Sequence, residues 1–481
     1  MRSTASPRAG FLLAALLLGS APALAATVTR GPFLQQTTPT STLVVVRTDA
    51  PATLEARDPG GNVLARDSGT KEHLLRLTGL PPASDVTYQL YLDGKPVGQR
   101  ATFRTPGIPG TEGARHAVLG VVGDMGSGEE NERANVLRMK ERGVEAVLTV
   151  GDNAYDKGAP DEWDPKLFQP FAPLLSQATL WPALGDHEYL TPGATGYLEA
   201  FFLPEGPEGE RYYSFDWGDI HVAVLDTNCV DPLDEAVCKP GKMVEWLAAD
   251  LSASHAPWKF VTFHRPAIAS GEYPSNPRVN QALVSVLEKG GVDVVFQGHN
   301  HSYERSWPMR GGKAVQKGYV RSGAPVYVTS GGGGDWLYSV SSSPPDWSAA
   351  RRSEFHHLQL TLDGGSLRVD AVRPDGSLLD TFTLTKDVPP PTSPSPTSPP
   401  PSEPSTPAAE PGGQTPGDST ATPAPVTSSQ PGGQEPSAVP TGPDASPPPM
   451  GCSAAPGVGL GLPVLGLLLG AYLRRRQRRG S

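Results

Sequence analysis

The chain has 481 residues, among them 53 prolines and 54 glycines, and carries a formal net charge of −10 at pH 7. This length allows two or three domains with a sizeable hydrophobic core. The negative charge, with no long basic run before the extreme C-terminus, excludes a broad nucleic-acid binding surface. Most of the proline lies in one late segment, so the average composition combines a folded part and a disordered part.

The N-terminus has the pattern of a secretory signal peptide. Two arginines precede an apolar run over residues 11–18, and Ala23-Leu24-Ala25 supplies the small residues of a cleavage site. Residues 1–25 are therefore predicted to be a signal peptide. The mature protein is expected to be exported and to reside at the cell surface or in the outer envelope.

Residues 27–105 are predicted to form a small all-β domain. Leu43 to Val46 form an apolar strand, and turns rich in Asp and Gly follow. Leu80-Pro81-Pro82, followed by Tyr88, resembles the tyrosine corner of fibronectin type III sandwiches, where the tyrosine hydroxyl bonds to the chain upstream. Because this stretch has no cluster of metal-ligand residues, we predict a packing or positioning role for it.

After a linker at 106–115, residues 116–386 alternate apolar strands with amphipathic helices, which predicts an α/β domain. The predicted strands lie at 117–123, 145–150, 220–226, 259–263, 292–297 and 325–329. The predicted helices lie at 130–142, 165–177, 242–253 and 278–289. Strand alternation returns at 355–384 and is expected to complete a sheet.

The C-terminal part is predicted to be a stalk and an anchor. Residues 388–449 consist largely of Pro, Ser, Thr, Gly and Ala, which cannot bury enough apolar surface to fold. Residues 454–473, within the segment 450–481, form an apolar run long enough to span a bilayer and precede a cluster of arginines. With Cys452, this pattern resembles the C-terminal sorting tags of myxobacterial surface proteins. The resemblance implies a tail that anchors the protein in the membrane, or one that is cleaved or lipidated at Cys452.

Cys229 and Cys238 are close enough in sequence to form a disulfide that closes a loop of about ten residues. Export favours this bond, because oxidising compartments preserve disulfides. The alternative is a pair of free thiols.

Carboxylate and imidazole side chains follow the predicted strands of the α/β domain. The residues at these strand ends are Asp124, Asp152, Asp186, His187, His264, His299 and His301. Ligands of open α/β sheets bind at the carboxyl ends of the strands, so we expect these side chains to converge. A mixture of carboxylates and imidazoles favours Fe, Mn or Zn over Mg. Two such ions sharing a carboxylate suit an in-line displacement at phosphorus.

Five motifs in a fixed order make the sequence recognisable. They are Gly123-Asp124-x-Gly126, Gly151-Asp152-x-x-Tyr155, Gly185-Asp186-His187-Glu188, a strand ending in His264, and Gly298-His299-x-His301. Together they resemble the motifs of the calcineurin-like metallophosphoesterases. Tyr155, the run Tyr303-Glu304-Arg305 and the four glycines at 331–334 narrow the resemblance to the purple acid phosphatases.

The resemblance covers residues 28–385. It implies an α/β (α+β) fold, a four-layer αββα metallophosphoesterase sandwich preceded by a small all-β fibronectin III-like sandwich. It also implies an acid phosphatase-like hydrolase of phosphate monoesters, in which a hydroxide that bridges two metal ions attacks phosphorus. A phosphodiesterase with the same site is one alternative. A catalytically inactive surface binding protein is another, against which the intact ligand set argues.

By the same resemblance, the cofactors are Fe(III) and a divalent Fe, Zn or Mn. The ligands implied for Fe(III) are Asp124, Asp152, Tyr155 and His301. The ligands implied for the divalent ion are Asp152, Asp186, His264 and His299. His187 would hydrogen-bond the phosphate and protonate the leaving alkoxide. Arg265 and Arg305 are candidate anion contacts, each with a surface ion pair as the alternative.

The sequence departs from the purple acid phosphatase pattern at two positions. Asp186 stands where these enzymes usually carry Asn, and its extra negative charge is expected to tighten a divalent ion and to weaken attraction for phosphate. Glu272 stands near the position where many relatives carry a second phosphate-binding His. A protonated Glu272 would donate to phosphate, whereas an ionised one would repel it.

Overall fold

The computed structural model describes residues 25–391 of the chain, except residues 234–236 and 240. The rest of the predicted signal peptide, the stalk beyond residue 391, Cys452 and the segment 450–481 lie outside the described residues. Within the described ranges, no helix is both long enough and apolar enough to cross a membrane.

The described residues form strands, helices and short helical turns. The strands are β1 (Val28–Thr38), β2 (Ser41–Arg57), β3 (Val63–Thr78), β4 (Asp85–Leu92), β5 (Lys95–Arg104), β6 (His116–Val122), β7 (Ala146–Thr149), β8 (Thr179–Trp181), β9 (Tyr213–Trp217), β10 (Ile220–Val224), β11 (Trp258–Phe263), β12 (Val294–Gln297), β13 (Tyr303–Ser306), β14 (Met309–Arg310), β15 (Lys313–Ala314), β16 (Val326–Ser330), β17 (Ser348–Arg352), β18 (His357–Asp363), β19 (Ser366–Val372) and β20 (Leu378–Thr385). The helices are α1 (Glu130–Glu141), α2 (Gln169–Leu175), α3 (Thr195–Ala200), α4 (Lys242–Ala253) and α5 (Pro277–Lys289). The helical turns are Glu112–Ala114, Asp164–Phe168, His187–Leu190, Pro192–Ala194 and Thr227–Cys229.

Most strands belong to two large sheets. The first has the order β20-β19-β18-β6-β7-β8-β1-β2-β4-β5, with β3 beside β2, and the second has the order β17-β13-β16-β12-β11-β10-β9. In the first sheet β6, β7 and β8 run parallel, and in the second β10, β11, β12 and β16 run parallel. These strands are almost wholly apolar, as expected for parallel strands that are covered on both faces.

The two sheets pack face to face, and helices cover their outer faces. Adjacent residues of β10 show the arrangement, because Val222 belongs to the core shared by the two sheets, whereas Ala223 packs in a second core with α4 and α5. Helices α1 and α2 contact each other and lie against β18 and β1 of the first sheet. The predicted four-layer αββα sandwich is thereby confirmed.

The predicted helix at 165–177 is divided in the structure. Asp164–Phe168 forms a π-helical turn, and α2 begins only at Gln169. Pro165, Pro170 and Pro173 remove backbone donors from this segment, which prevents one regular helix.

The N-terminal strands β1 to β5 enclose their own core and are joined to the first sheet. Strand β1 pairs in parallel with β8 at Leu34 and Thr179, so the all-β region continues the first sheet. Tyr88 is buried, and its hydroxyl donates to the carbonyl of Ser176, far downstream, at 3.2 Å. The prediction of a fibronectin-type tyrosine corner is therefore wrong, because Tyr88 attaches this region to the end of α2 instead.

His221 fixes α4 to the second sheet. Its Nδ1 lies 2.8 Å from a carboxylate oxygen of Asp216 on β9, and its Nε2 lies 2.9 Å from one of Asp250 on α4. Burial lowers the pKa of His221, but the hydrogen bonds to the two aspartates outweigh burial and raise the pKa to about 9. The imidazolium therefore holds two elements together at neutral pH.

Candidate metal centre

The predicted metal ligands meet where the parallel strands of both sheets end. Asp124, Asp152 and Asp186 follow β6, β7 and β8, while His264 follows β11 and His299 and His301 follow β12. Ligand atoms of Asp186, His264 and His299 lie within 4.8 Å of one another, and so do those of Asp124, Asp152 and His264. The structure thus brings together side chains that are widely separated in sequence.

The backbone of the centre is strained. Asp124, Asp152 and His299 have φ angles of +53°, +52° and +69°, in the left-handed region that residues other than glycine rarely adopt. Such strain concentrates at functional sites, where surrounding structure maintains it. Gly185 is required for a different reason, since a Cβ there would lie 2.2 Å from the backbone N and from Oδ1 of Asp152.

Two histidines are oriented by backbone carbonyls. Nδ1 of His264 lies 2.9 Å from the carbonyl of Val150, and Nδ1 of His301 lies 2.6 Å from that of Trp336. Because a carbonyl only accepts, each Nδ1 carries the hydrogen and each neutral ring directs the lone pair of Nε2 into the centre. This tautomer is the one that a metal ion needs at Nε2.

Nε2 of His264 is the clearest sign that the centre fits a cation. This atom is buried and has no hydrogen-bond partner, although it lies 3.2 Å from Oδ2 of Asp152. Burial alone would lower the pKa of His264, but the charge of Asp152 raises it well above the usual value. The position therefore attracts positive charge, which a metal ion would supply in place of the proton.

Tyr155 lies against the same group of ligands. Its hydroxyl is 3.2 Å from Oδ2 of Asp152 and 3.1 Å from Nε2 of His301. Burial and the neighbouring carboxylates raise the pKa of Tyr155 well above its usual value, so the phenolate would form only beside a strong cation. Three carboxylates, three imidazoles and one phenol thus fit the two-metal set that the sequence implied.

Asp186 is held by Arg265. Nε of Arg265 donates to Oδ1 of Asp186 at 2.7 Å, and Nη1 donates to the carbonyl and carboxylate of Asp231 at 2.6 and 2.8 Å. Both side chains of the Asp186–Arg265 pair are largely buried. Arg265 is therefore occupied as a partner of carboxylates, and the prediction that it contacts an anion is corrected.

Among the described residues, the two other predicted substrate contacts show no contact with the ligands of the centre. Nε of Arg305 donates to Asp380 at 2.8 Å, and the guanidinium packs on the ring of Phe382. Arg305 therefore stabilises the packing at β20 of the first sheet and does not bind an anion. Glu272 is exposed and, within the described part of the chain, has no hydrogen bond or ion pair. Its neighbour Tyr273 takes the place beside the centre, with its ring 4.2 Å from that of His299.

His187 lies at the edge of the centre. Its Nδ1 donates to the carbonyl of Asp156 at 2.6 Å, and its ring packs edge to face on Tyr155 with centroids 4.5 Å apart. Its backbone N donates to Oδ1 of Asp152 at 2.9 Å. Nε2 is consequently the ring atom that remains for an external partner.

Glu188 organises the centre, a role that the sequence analysis did not predict. Its buried carboxylate accepts hydrogen bonds from the backbone N–H groups of Gly185 at 2.7 Å and Asn153 at 2.7 Å. It thereby ties the turn after β7 to the turn after β8. Burial and the charge of Asp152 raise the pKa of Glu188. The sequence feature that could have indicated this role is the position of Glu188 directly after His187 in the third motif.

The predicted disulfide between Cys229 and Cys238 is present. The loop that it closes contains Asp231, the second partner of Arg265. The disulfide thus constrains the loop of Asp231, whose partner Arg265 also binds Asp186.

The fold of this chain agrees with comparisons to known proteins. Residues 117–303 match the calcineurin-like phosphoesterase family, and residues 324–381 match the iron/zinc purple acid phosphatase-like protein C family. The purple acid phosphatase PPD1 from yellow lupin (Lupinus luteus) has a similar structure, with a TM-score of 0.64, 20% identity and coverage of 76% of this chain and 75% of that one. The structure of PhoD gives a TM-score of 0.56 at 13% identity, covering 74% of this chain and 90% of that one.

Three relatives illustrate the range of the similarity in sequence. The chain is 26% identical to the probable inactive purple acid phosphatase 1 of Arabidopsis thaliana, over 73% of this chain and 62% of the relative. It is 26% identical to the nucleotide pyrophosphatase/phosphodiesterase of Hordeum vulgare, over 60% of this chain and 87% of the relative. It is 27% identical to the acid phosphatase type 7 of Mus musculus, over 64% of this chain and 75% of the relative. The chain therefore contains a calcineurin-like metallophosphoesterase domain that is followed by a purple acid phosphatase-like C-terminal domain.

Proposed function

We propose that this chain is a metal-dependent phosphatase that hydrolyses phosphate monoesters. The observation that carries the proposal is the convergence of five potential ligands, among them His264 with its unpartnered Nε2, with Tyr155 and His301 beside their carboxylates. The names of the mouse and lupin proteins support a phosphatase. The name of the Arabidopsis relative points to loss of activity, but every ligand position implied by the resemblance holds a competent side chain here.

The proposal assigns the ligands to two ions, as the resemblance implies. Asp124, Asp152, Tyr155 and His301 would hold Fe(III), and Asp152, Asp186, His264 and His299 would hold a divalent Fe, Zn or Mn. When bound, the ions would acidify water and neutralise the charge of the phosphate. The protein positions these ligands through the carbonyl-bound histidines, the Asp186–Arg265 pair and the hydrogen bonds of Glu188.

His187 is the proposed general acid. Because Nδ1 already donates to the carbonyl of Asp156, Nε2 carries a proton only when the ring is an imidazolium. That proton is available to the oxygen that leaves phosphorus, which otherwise departs as an alkoxide. The contact with Tyr155 keeps the ring at the edge of the centre.

The function is tested on the mature chain with 4-nitrophenyl phosphate and bis(4-nitrophenyl) phosphate, before and after chelation. We expect faster turnover of the monoester and loss of turnover on chelation. Faster turnover of the diester would favour the phosphodiesterase, which the name of the barley relative supports. Two bound metal ions without turnover of either ester would favour the inactive binding protein.

A leaving-group comparison tests His187. His187→Gln is expected to reduce kcat/KM for an alkyl phosphate about 100-fold, and that for 4-nitrophenyl phosphate only a few-fold, because nitrophenolate needs no proton. The exposed His255 provides a matched control, and His255→Gln is expected to change neither value. Equal losses on both esters in His187→Gln would assign it a binding role instead.

The proposal places the enzyme outside the cytoplasm. The signal-like N-terminus and the arginine-ended apolar tail support export and display at the cell surface, either anchored in the membrane or released after processing. Fractionation of the native host, with an antibody against the catalytic domain, distinguishes these locations. Recovery of the protein in the cytoplasm alone would contradict them.

A further inference from the structure

Three aromatic side chains border the candidate metal centre. The ring of Tyr273 lies 4.2 Å from that of His299, and the ring of Tyr338 is parallel to that of His301 at 4.2 Å. The two tyrosines contact each other at 5.7 Å, and the ring of Trp336 lies 5.6 Å from His301. We call Tyr273, Trp336 and Tyr338 the aromatic arc. It touches histidines of both proposed metal sites.

The arc presents apolar surface to solvent. Trp336 is 61% exposed and Tyr273 is 43% exposed, which is unusual for side chains of this size. Exposed apolar surface is unfavourable in water, and where it clusters beside polar groups it marks a binding site. Tryptophan and tyrosine are also the side chains on which planar rings stack most readily.

The backbone fixes the arc relative to the centre. The carbonyl of Trp336 accepts from Nδ1 of His301 at 2.6 Å, and the backbone N of Tyr338 donates to the carbonyl of His301 at 2.9 Å. The backbone N of Asp335 donates to the carbonyl of Asp124 at 3.2 Å. A ligand that stacks on the arc therefore meets a surface that is already positioned, which lowers the entropic cost of binding.

The charges beside the arc restrict what it binds. Glu272 is exposed and directly precedes Tyr273 in the chain, and Oδ2 of Asp335 lies 4.0 Å from Nδ1 of His301. The nearby Arg265 is occupied by Asp186 and Asp231. The negative charges of Glu272 and Asp335 repel a second phosphate on the substrate, whereas they do not repel an uncharged ring.

We propose that the aromatic arc binds a planar, uncharged ring in the alcohol part of the substrate. Phosphate monoesters of nucleosides or of arylalkyl alcohols would then be preferred to those of plain sugars or alkyl alcohols. The inference rests on the proposed phosphatase function and names the substrate class of the same site.

Two pairs of substrates isolate the ring. AMP and ribose 5-phosphate both lose a primary alkoxide at the ribose 5-carbon and differ by the base, while 2-phenylethyl and 2-cyclohexylethyl phosphate differ by aromaticity. We expect kcat/KM to favour the member with the planar ring about tenfold in each pair. A preference within the first pair alone assigns the arc to nucleobases, and a preference within both assigns it to planar rings in general. Equal values within both pairs would overturn the proposal.

Variants of the arc locate the preference. Trp336→Ala is expected to lower kcat/KM for AMP about tenfold and to change that for ribose 5-phosphate less than twofold. Trp336→Phe should retain most of the preference. Ile108→Ala removes a similarly exposed side chain from the linker and should have no effect. Tyr273→Ala provides a second test if Trp336→Ala lowers Tm strongly. If both alanine variants keep the preference for AMP unchanged, the proposed role of the arc in binding the ring is refuted.

A binding measurement separates this inference from the proposed function. Calorimetry on the metal-loaded full chain is expected to show AMP binding about tenfold more tightly than ribose 5-phosphate, and Trp336→Ala is expected to abolish the difference. If neither ester is hydrolysed, the proposed function fails, but the difference in affinity still decides the role of the arc. If both esters are hydrolysed and bind with equal affinity, the proposed phosphatase function stands and the proposed role of the arc is refuted.

Discussion

The ion pair between Asp186 and Arg265 can be measured by a double-mutant cycle. Nε of Arg265 lies 2.7 Å from Oδ1 of Asp186, and the arginine side chain is only 7% exposed. Two unit charges this close attract by roughly 6 kcal/mol at an effective dielectric constant of about 20, and desolvation of both ions offsets about two thirds of it. We therefore expect Asp186→Asn and Arg265→Met to couple by about 2 kcal/mol in the free energy of unfolding of the metal-free protein.

The single variants should differ in a defined way. Arg265→Met is expected to cost about 3 kcal/mol, because it leaves Asp186 without its arginine and leaves Asp231 to the exposed Arg278. Asp186→Asn should lower the free energy of unfolding by less, because Arg265 keeps its ion pair with Asp231. Arg278→Met is the matched control, since Arg278 is 68% exposed, lies 3.4 Å from Asp231 and should contribute at most about 0.5 kcal/mol. Urea unfolding supplies all four values, and a coupling below about 0.5 kcal/mol would refute the proposed role of Arg265.

Three further predictions concern other parts of the molecule. Gly185→Ala should abolish metal binding, measured by elemental analysis, because its Cβ would lie 2.2 Å from Oδ1 of Asp152; full metal occupancy would contradict the geometry. Tyr155→Phe should remove a visible charge-transfer band from the iron-loaded protein, and an undiminished band would show that another residue produces the colour. His221→Asn should cost about 2 kcal/mol at pH 6, and this cost should vanish as pH rises from about 6.5 to about 9, because the raised pKa of His221 stabilises only the protonated ring. A cost that is independent of pH would mean that packing, not charge, explains it.

The sequence predicted the parts of the fold that depend on local patterns. The helices at 242–253 and 278–289 appear as α4 and α5 almost residue for residue, because their apolar positions repeat at helical spacing. The converging aspartates and histidines were predicted because parallel strands end at the same edge of a sheet. Contacts between distant segments could not be predicted in this way. Tyr88 finds Ser176 only through tertiary packing, and no local pattern specifies that partner.

The same limit explains the errors at the site. Arg265 and Arg305 were predicted as anion contacts by their proximity to motifs, but the acids that occupy them, Asp231 and Asp380, come from other parts of the chain. The pairing with Arg265 also changes the meaning of Asp186. The negative charge that the sequence suggested would repel phosphate is neutralised by a buried guanidinium. The charge of one residue therefore cannot be interpreted until its partners are known.

The hydrogen-bonded junction between β1 and β8 makes the N-terminal strands β1 to β5 inseparable from the catalytic machinery. Strand β8 leads directly into the turn that carries Asp186, so removing the N-terminal strands would leave an open strand edge beside a metal ligand. Homologous recombination or protein engineering that exchanged this region as a module would have to conserve the junction. The N-terminal region is thus better regarded as a structural part of the enzyme than as a separable module.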